Sequence, residues 1–141
     1  MMTDQQVDRL AGENATRLQI AASDPERSVF VSANAGTGKT QVLTMRVLRL
    51  LLSGVAPQTI LCVTYTKAAA AEMKNRLYER LAEWAICEQT ELLEEMKKLG
   101  EDRPTQDQIR TARSLFARIL DHEDGPRIET VHSFCQAVLK R

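Results

Sequence analysis

At 141 residues the chain can hold one modest domain with its own core and cannot hold two. A content of 43% apolar, 27% charged and 4% aromatic residues excludes a collagen-like chain, a disordered one and a small disulfide scaffold. Lys+Arg and Asp+Glu both number 19, so the formal net charge is zero, and any nucleic acid would be held by a few groups at loop ends rather than by a broad basic surface.

Met1 to Leu18 is polar and acidic and lacks the basic-then-apolar layout of a signal peptide. The oily run Leu48 to Leu52 is far too short to cross a bilayer, so a cytoplasmic protein with no membrane partner is expected. A short helix is predicted over Glu13 to Ala22, closed by Asp24 and Pro25. Val29-Phe30-Val31 reads as a buried strand feeding the small-residue loop Ser32 to Gly38. Thr40 to Ser53 is apolar on nearly every face, which predicts a largely buried helix, and Gly54 is its stop.

Ile60 to Val63 is a second strand candidate, and its continuous apolarity predicts cover on both faces, as in a parallel sheet. Ala68 to Ala85 follows as a helix with Met73, Leu77, Leu81 and Trp84 at helical spacing, so strand and helix alternate as in βαβ units. Glu88 to Asp102 is a charged helical stretch ending at Gly100, with Glu94-Glu95 and Lys97-Lys98 read as a solvated face. Thr105 to Gln108 fits a capping box, opening a helix with Ile109, Ala112, Phe116 and Ile119 on one side. These two helices read as an insertion over 86–124 between sheet strands. Gly125-Pro126 is a turn, Arg127 to Val131 a third strand candidate, and Ser133 to Arg141 a helix. Cys62, Cys87 and Cys135 follow no CxxC spacing, so they read as reduced thiols rather than a bridge or metal centre. The chain stops without a terminal signal, and the expectation is a partial α/β domain.

The strongest chemical signal is Ala33-Asn34-Ala35-Gly36-Thr37-Gly38-Lys39-Thr40, which fits AxxGxGKT, a Walker A loop between a strand and a helix start. Gly36 and Gly38 permit the backbone turns that aim successive N–H groups at one oxyanion. The following helix adds its positive end. Lys39 reaches the β- and γ-phosphates of ATP, and the Thr40 hydroxyl is the ligand for Mg²⁺, so these two are the candidate catalytic residues. Gln41, next in the chain, completes the expected nucleotide-binding set.

Such a loop leaves kinases, GTPases and motors open. Thr64-Tyr65-Thr66-Lys67-Ala68-Ala69-Ala70-Ala71-Glu72-Met73 resembles motif Ia of superfamily 1 DNA helicases of the UvrD/Rep type, and Thr130-Val131-His132-Ser133-Phe134 resembles their motif Ib. Gln19 sits about where that family keeps its adenine-reading Q motif. The resemblance runs from about residue 16 to the end. It is closest to the AddA/RecB-like helicase–nuclease subunits that process double-strand breaks, whose longer spacing between the second and third motifs it shares. Lys67 and Ala68 depart from the Asn-Lys of the UvrD form.

The resemblance implies a P-loop NTPase of RecA-like fold: a parallel sheet flanked by helices, here incomplete, with a helical insertion. It implies single-stranded DNA at Thr64, Tyr65, Thr66, Lys67, Thr130, His132 and Ser133, double-strand ends for the parent protein, and a second helicase–nuclease subunit. Read without it, Tyr65 is equally a packing residue, His132 a structural hydrogen-bonder, and Thr64 and Thr130 helix caps.

An apolar strand ending in Asp-Glu, needed to hold Mg²⁺ and orient water, is missing. Ile119-Leu120-Asp121-His122-Glu123-Asp124 continues a helical period instead. The chain alone is therefore expected to bind nucleotide weakly or not at all and to turn over no ATP. A small P-loop phosphotransferase, with Arg103, Arg110, Arg113 and Arg118 as lid cations, is the second reading, and a non-catalytic nucleotide-binding module the third.

Overall fold

The computed structural model describes residues 4–32, 38–121 and 125–140. In chain order these form α1 (Asp4–Ala22), α2 (Lys39–Leu52), a 3-10 turn (Pro57–Thr59), β1 (Leu61–Thr64) and α3 (Lys67–Ile86). Then follow α4 (Gln89–Lys98), α5 (Gln106–Asp121), β2 (Arg127–Thr130) and α6 (Val131–Leu139). The architecture is mixed α/β and mostly helical. Among the described residues no helix is long and apolar enough to cross a membrane.

Helix α3 is the hub. Ala70, Met73, Leu77, Leu81 and Trp84 recur every three or four residues, which puts them on one face, and all are buried. Met45, Leu48, Leu51 and Leu52 of α2, Leu92 and Met96 of α4, and Ala112, Leu115 and Ile119 of α5 close around that face in one cluster. Helices α4 and α5 thus supply much of the core. Glu95 departs from the solvated face expected of α4. Its side chain is 22% exposed and takes ion pairs from Arg80 of α3 and from Lys98, at 2.6 Å from the latter.

Both helix starts and helix stops follow from local chemistry. Thr105 accepts from the Gln108 amide at 3.2 Å while the Gln108 side chain accepts from the Thr105 amide at 2.8 Å, the reciprocal box read from the sequence. Glu88 and Glu91 form a second such box at α4. At the far end of α4, Gly100 has φ 91°. Its amide donates to the Lys97 carbonyl at 2.9 Å, and the Glu101 amide to the Met96 carbonyl at 3.0 Å. That is a Schellman stop, and Gly54 (φ 88°) makes another after α2.

β1 and β2 pair in parallel, Leu61 with Arg127 through Thr64 with Thr130. Two sequence expectations fail here. The helical core packs on the Cys62 and Ile128 side of the sheet, while Leu61 and Val63 on the other side remain 42% and 44% exposed, so β1 is not buried on both faces. Val29-Phe30-Val31 is not a strand either: it pairs with no other strand among the described residues, and Phe30 is 93% exposed. The reason is visible just upstream, where the Arg46 guanidinium takes the carbonyls of Asp24, Pro25 and Arg27 and holds the chain as an irregular turn. The remaining predicted elements are present, with ends shifted by a few residues except at α1, which begins well before Glu13.

The two stop glycines differ in what surrounds them. A Cβ on Gly54 would meet open space, whereas one on Gly100 would lie 2.8 Å from the Ile20 side chain of α1. Gly54→Ala is expected to cost only left-handed backbone strain, about 1–2 kcal/mol. Gly100→Ala should cost clearly more in urea unfolding, because the α1 contact must also give way; equal losses would contradict the packing described.

Candidate functional site

The amino end of α2 follows the predicted phosphate loop in the chain. Ala33, Asn34, Ala35, Gly36 and Thr37 lie outside the described residues. Gly38 caps α2 in the left-handed region, φ 87° and ψ 16°, a conformation that favours glycine. Its carbonyl accepts from the Val42 amide at 3.0 Å, so the helix is in register from its first turn. The first turn of α2 holds no acidic side chain beside its opening amides. Lys39 and Thr40 occupy that turn, Lys39 exposed and Thr40 half-buried.

Gln19 comes to the same spot from α1. Its Nε2 lies 3.1 Å from where a Cβ on Gly38 would be. Any larger residue at 38 would push the amide away, a second reason for glycine besides the backbone angle. Gln19 and Gln41 both line a cleft of about 310 Å³ between α1, α2, α3 and α4. Its floor is apolar, from Met45, Leu48 and Trp84, and its rim carries the Arg80–Glu95–Lys98 ion network. Sequence reading singled out neither Trp84 nor that network, since a core tryptophan and a charge run carry no motif. A cradle of helix amides with an amide-rimmed, apolar-floored cleft beside it suits an anion joined to a flat heteroaromatic ring.

The second group of predicted residues sits where the parallel strands end. Register pairing brings Thr64 opposite Thr130, so the starts of α3 and α6 emerge side by side. Thr66 caps α3 by accepting from the Ala69 amide at 3.1 Å, and Thr130 caps α6 by accepting from the Ser133 amide at 3.1 Å. Thr130 and Ser133 also share a hydroxyl contact at 2.9 Å. Thr64 is no cap; its hydroxyl donates to the Thr66 carbonyl at 2.8 Å. Neither helix has an acidic residue in its first turn. Lys67 and His132 are exposed at this edge, His132 against Gln136 at 3.2 Å. Tyr65 is 95% exposed, which overturns the packing reading of its ring.

Residues 14–141 match the family model described as UvrD/REP helicase N-terminal domain. The chain belongs to this family. Among its relatives, a protein of Lactobacillus acidophilus is 36% identical over 123 residues, 87% of this chain. One of Enterococcus faecalis is 37% identical over 121 residues, 86% of the chain. One of Latilactobacillus sakei is 35% identical over 133 residues, 94% of the chain. All three relatives are named as ATP-dependent helicase/nuclease subunits. The chain spans 8% of the length of the first two relatives and 13% of the third.

Of the sequence-predicted acidic candidate in this UvrD/REP chain, Ile119 to Asp121 is the last turn of α5, with Ile119 in the core, and residues 122–124 lie outside the described residues. All three cysteines are free thiols. Burial pushes the Cys62 thiol, on β1 beneath the strand-end edge, above its ordinary value, while Cys135 is exposed on α6. Alkylation at pH 8 is therefore expected to label Cys135 first and Cys62 last, with Cys62 gaining on it as the pH rises. Peptide mass mapping over a time course would reveal the order.

Proposed function

We propose that this chain is the ATP-binding and strand-binding part of a DNA helicase motor, a RecA-like first domain in which residues 86–124 are an insertion. The observation that carries the reading is the left-handed Gly38 at the start of α2, with Gln19 seated against it and Lys39 and Thr40 in the next turn. Residues 33–41 would hold the triphosphate, Lys39 countering charge on its terminal phosphates. Mg²⁺, when bound, supplies further charge neutralisation on the phosphate oxygens, and Thr40 is the side chain that would hold it. Gln19 and Gln41 would face the adenine in the cleft they line.

Single-stranded DNA would pass over the paired strand ends. Two neighbouring helix amino ends offer N–H groups and a positive dipole to backbone phosphates, with Thr64, Thr66, Lys67, Thr130, His132 and Ser133 around them and Tyr65 free to stack on a base. Contacts of that kind position a strand without reading its sequence and need no net positive charge. In the parent protein this domain would close against a second motor domain, act on double-strand ends in the cytoplasm, and work beside a second helicase–nuclease subunit. The name shared by the relatives and the description of the family support the helicase part of that reading.

Two experiments test the reading on the 141-residue chain. Isothermal titration should find weak, Mg²⁺-dependent ATP binding that Lys39→Ala weakens by about tenfold or more, with no phosphate release in either protein. Vigorous turnover, or ATP binding indifferent to Lys39, would refute it. For DNA, an edge whose cation is Lys67 predicts a shallow slope of log K against log salt, about −0.7 for a single-stranded oligonucleotide. Thr66→Ala combined with Lys67→Ala should flatten that slope, and a slope unchanged by these substitutions would remove motif Ia from the interface.

A further inference from the structure

The end of α1 is held to α2 by an arrangement that neither the phosphate loop nor the strand-end edge accounts for. Helix α1 has no basic residue in its own last turn, although its last carbonyls form the negative end of the helix dipole. The cations come from α2 instead. Arg49 donates through one nitrogen to the Ile20 carbonyl at 2.8 Å and to the Ser23 hydroxyl at 3.1 Å. The Ser23 hydroxyl, wholly buried, donates in turn to the same Ile20 carbonyl at 2.9 Å. One turn earlier on α2, Arg46 donates to the carbonyls of Asp24, of Pro25 at 3.3 Å and of Arg27 at 2.7 Å. Guanidinium bonds to carbonyls are among the stronger hydrogen bonds, and several converge here on a single chain reversal.

Their location gives them a role beyond stability. Gln19 immediately precedes Ile20, the residue Arg49 grips, and the Gln19 amide rests against Gly38 at the other end of α2. Positions 38 and 49 are separated by roughly 16 Å along the helix at 1.5 Å per residue. The last turn of α1, about 5.4 Å long, lies between the two, with Gln19 reaching toward Gly38 while the arginine side chains reach back to carbonyls from Ile20 onward. The side chain of Ile20 is held independently, packed within contact of Gly100. With backbone and side chain of Ile20 both fixed, Gln19 has little freedom to drift from the loop.

We propose that Arg46 and Arg49 are positioning residues for the base of the bound nucleotide: by clamping the end of α1 they set the spacing between the Gln19 amide and the Gly38 end of α2. This rests on the nucleotide-binding reading above and adds to it which side chains make the base contact possible. The phosphate cradle itself, built on the opening turn of α2, does not depend on the clamp. Loss of an arginine should thus separate recognition of the base from recognition of the phosphates.

The test compares Mg²⁺-ATP with Mg²⁺-tripolyphosphate, which has the phosphates and no base, on the 141-residue chain. The preference for ATP over tripolyphosphate is the readout. Arg49→Ala is expected to reduce that preference roughly three- to tenfold, about as much as Gln19→Ala does, while tripolyphosphate affinity stays within about twofold of the parent. The Arg49→Ala/Gln19→Ala double variant should lose no more than either single one, because both remove the same contact. Arg49→Lys, which keeps a donor able to reach the carbonyl, should recover part of the preference. An Arg49→Ala protein that keeps the parental preference, or losses that add in the double variant, would overturn the proposal. Should Arg49→Ala fail to fold by circular dichroism, Arg46→Ala is read in the same way against Gln19→Ala, with the same two outcomes. Lys39→Ala separates the two levels. If it leaves both ligands' binding unchanged, the phosphate-loop reading itself fails; if it abolishes both while the arginine variants keep full preference, only the clamp inference does.

Discussion

Burial of one face of α3 organises the molecule. Leu77 and Leu81 are wholly inaccessible and Trp84 nearly so, and the elements that cover them come from both sides of α3 in the sequence, α2 before it and α4 and α5 after it. Each such side chain contributes about 1.5–3 kcal/mol on leaving water, whereas a four-residue strand pair offers few groups to bury. The sheet is thus the smaller partner: Ile60, Cys62 and Ile128 lean on the helical cluster, and Leu61 and Val63 on the other side stay partly exposed. Because α3 also opens at the end of β1, the same packing that fixes the core fixes the direction in which its amino end points.

That coupling explains how a neutral chain can offer the two proposed anion sites. Both sites use helix amino ends rather than clusters of lysine, one at Gly38 and one shared by Thr66 and Thr130. Backbone N–H groups carry their charge as dipoles, so they leave no trace in a count of charged residues. What they require is an absence of nearby carboxylates, and none of these three helices has one in its first turn. Position does what composition does not.

The helices were legible because their apolar spacing and their end signals agree. Thr105 with Gln108, Gly54 and Gly100 are local chemistry, readable without knowing the fold. The strand-end edge was legible for a different reason: Thr64 and Thr130 stand at the ends of short apolar runs, and parallel register then sets them opposite one another. Val29-Phe30-Val31 misled because a strand is a pairwise structure, and apolar composition alone does not supply its partner. Tyr65 was ambiguous since an aromatic ring beside a strand end packs or projects depending on neighbours far away in sequence. Nothing in the pattern of α2 announced that Arg46 and Arg49 turn back toward α1; arginines on a helix usually read as solvent-facing charge, and only the tertiary arrangement reveals their carbonyl partners. Glu95 was misread on the same grounds.

Leu61 and Val63 share their side of the sheet with Arg127 and Glu129, which pair with each other at 2.6 Å. The ion pair is internally neutralised, and the whole chain carries no net charge to push copies of itself apart. Each strand also has one flank without a hydrogen-bonded neighbour among the described residues. Partly oily and with its charges paired, this side of the sheet offers little for salt to screen, so contacts made there should respond weakly to ionic strength.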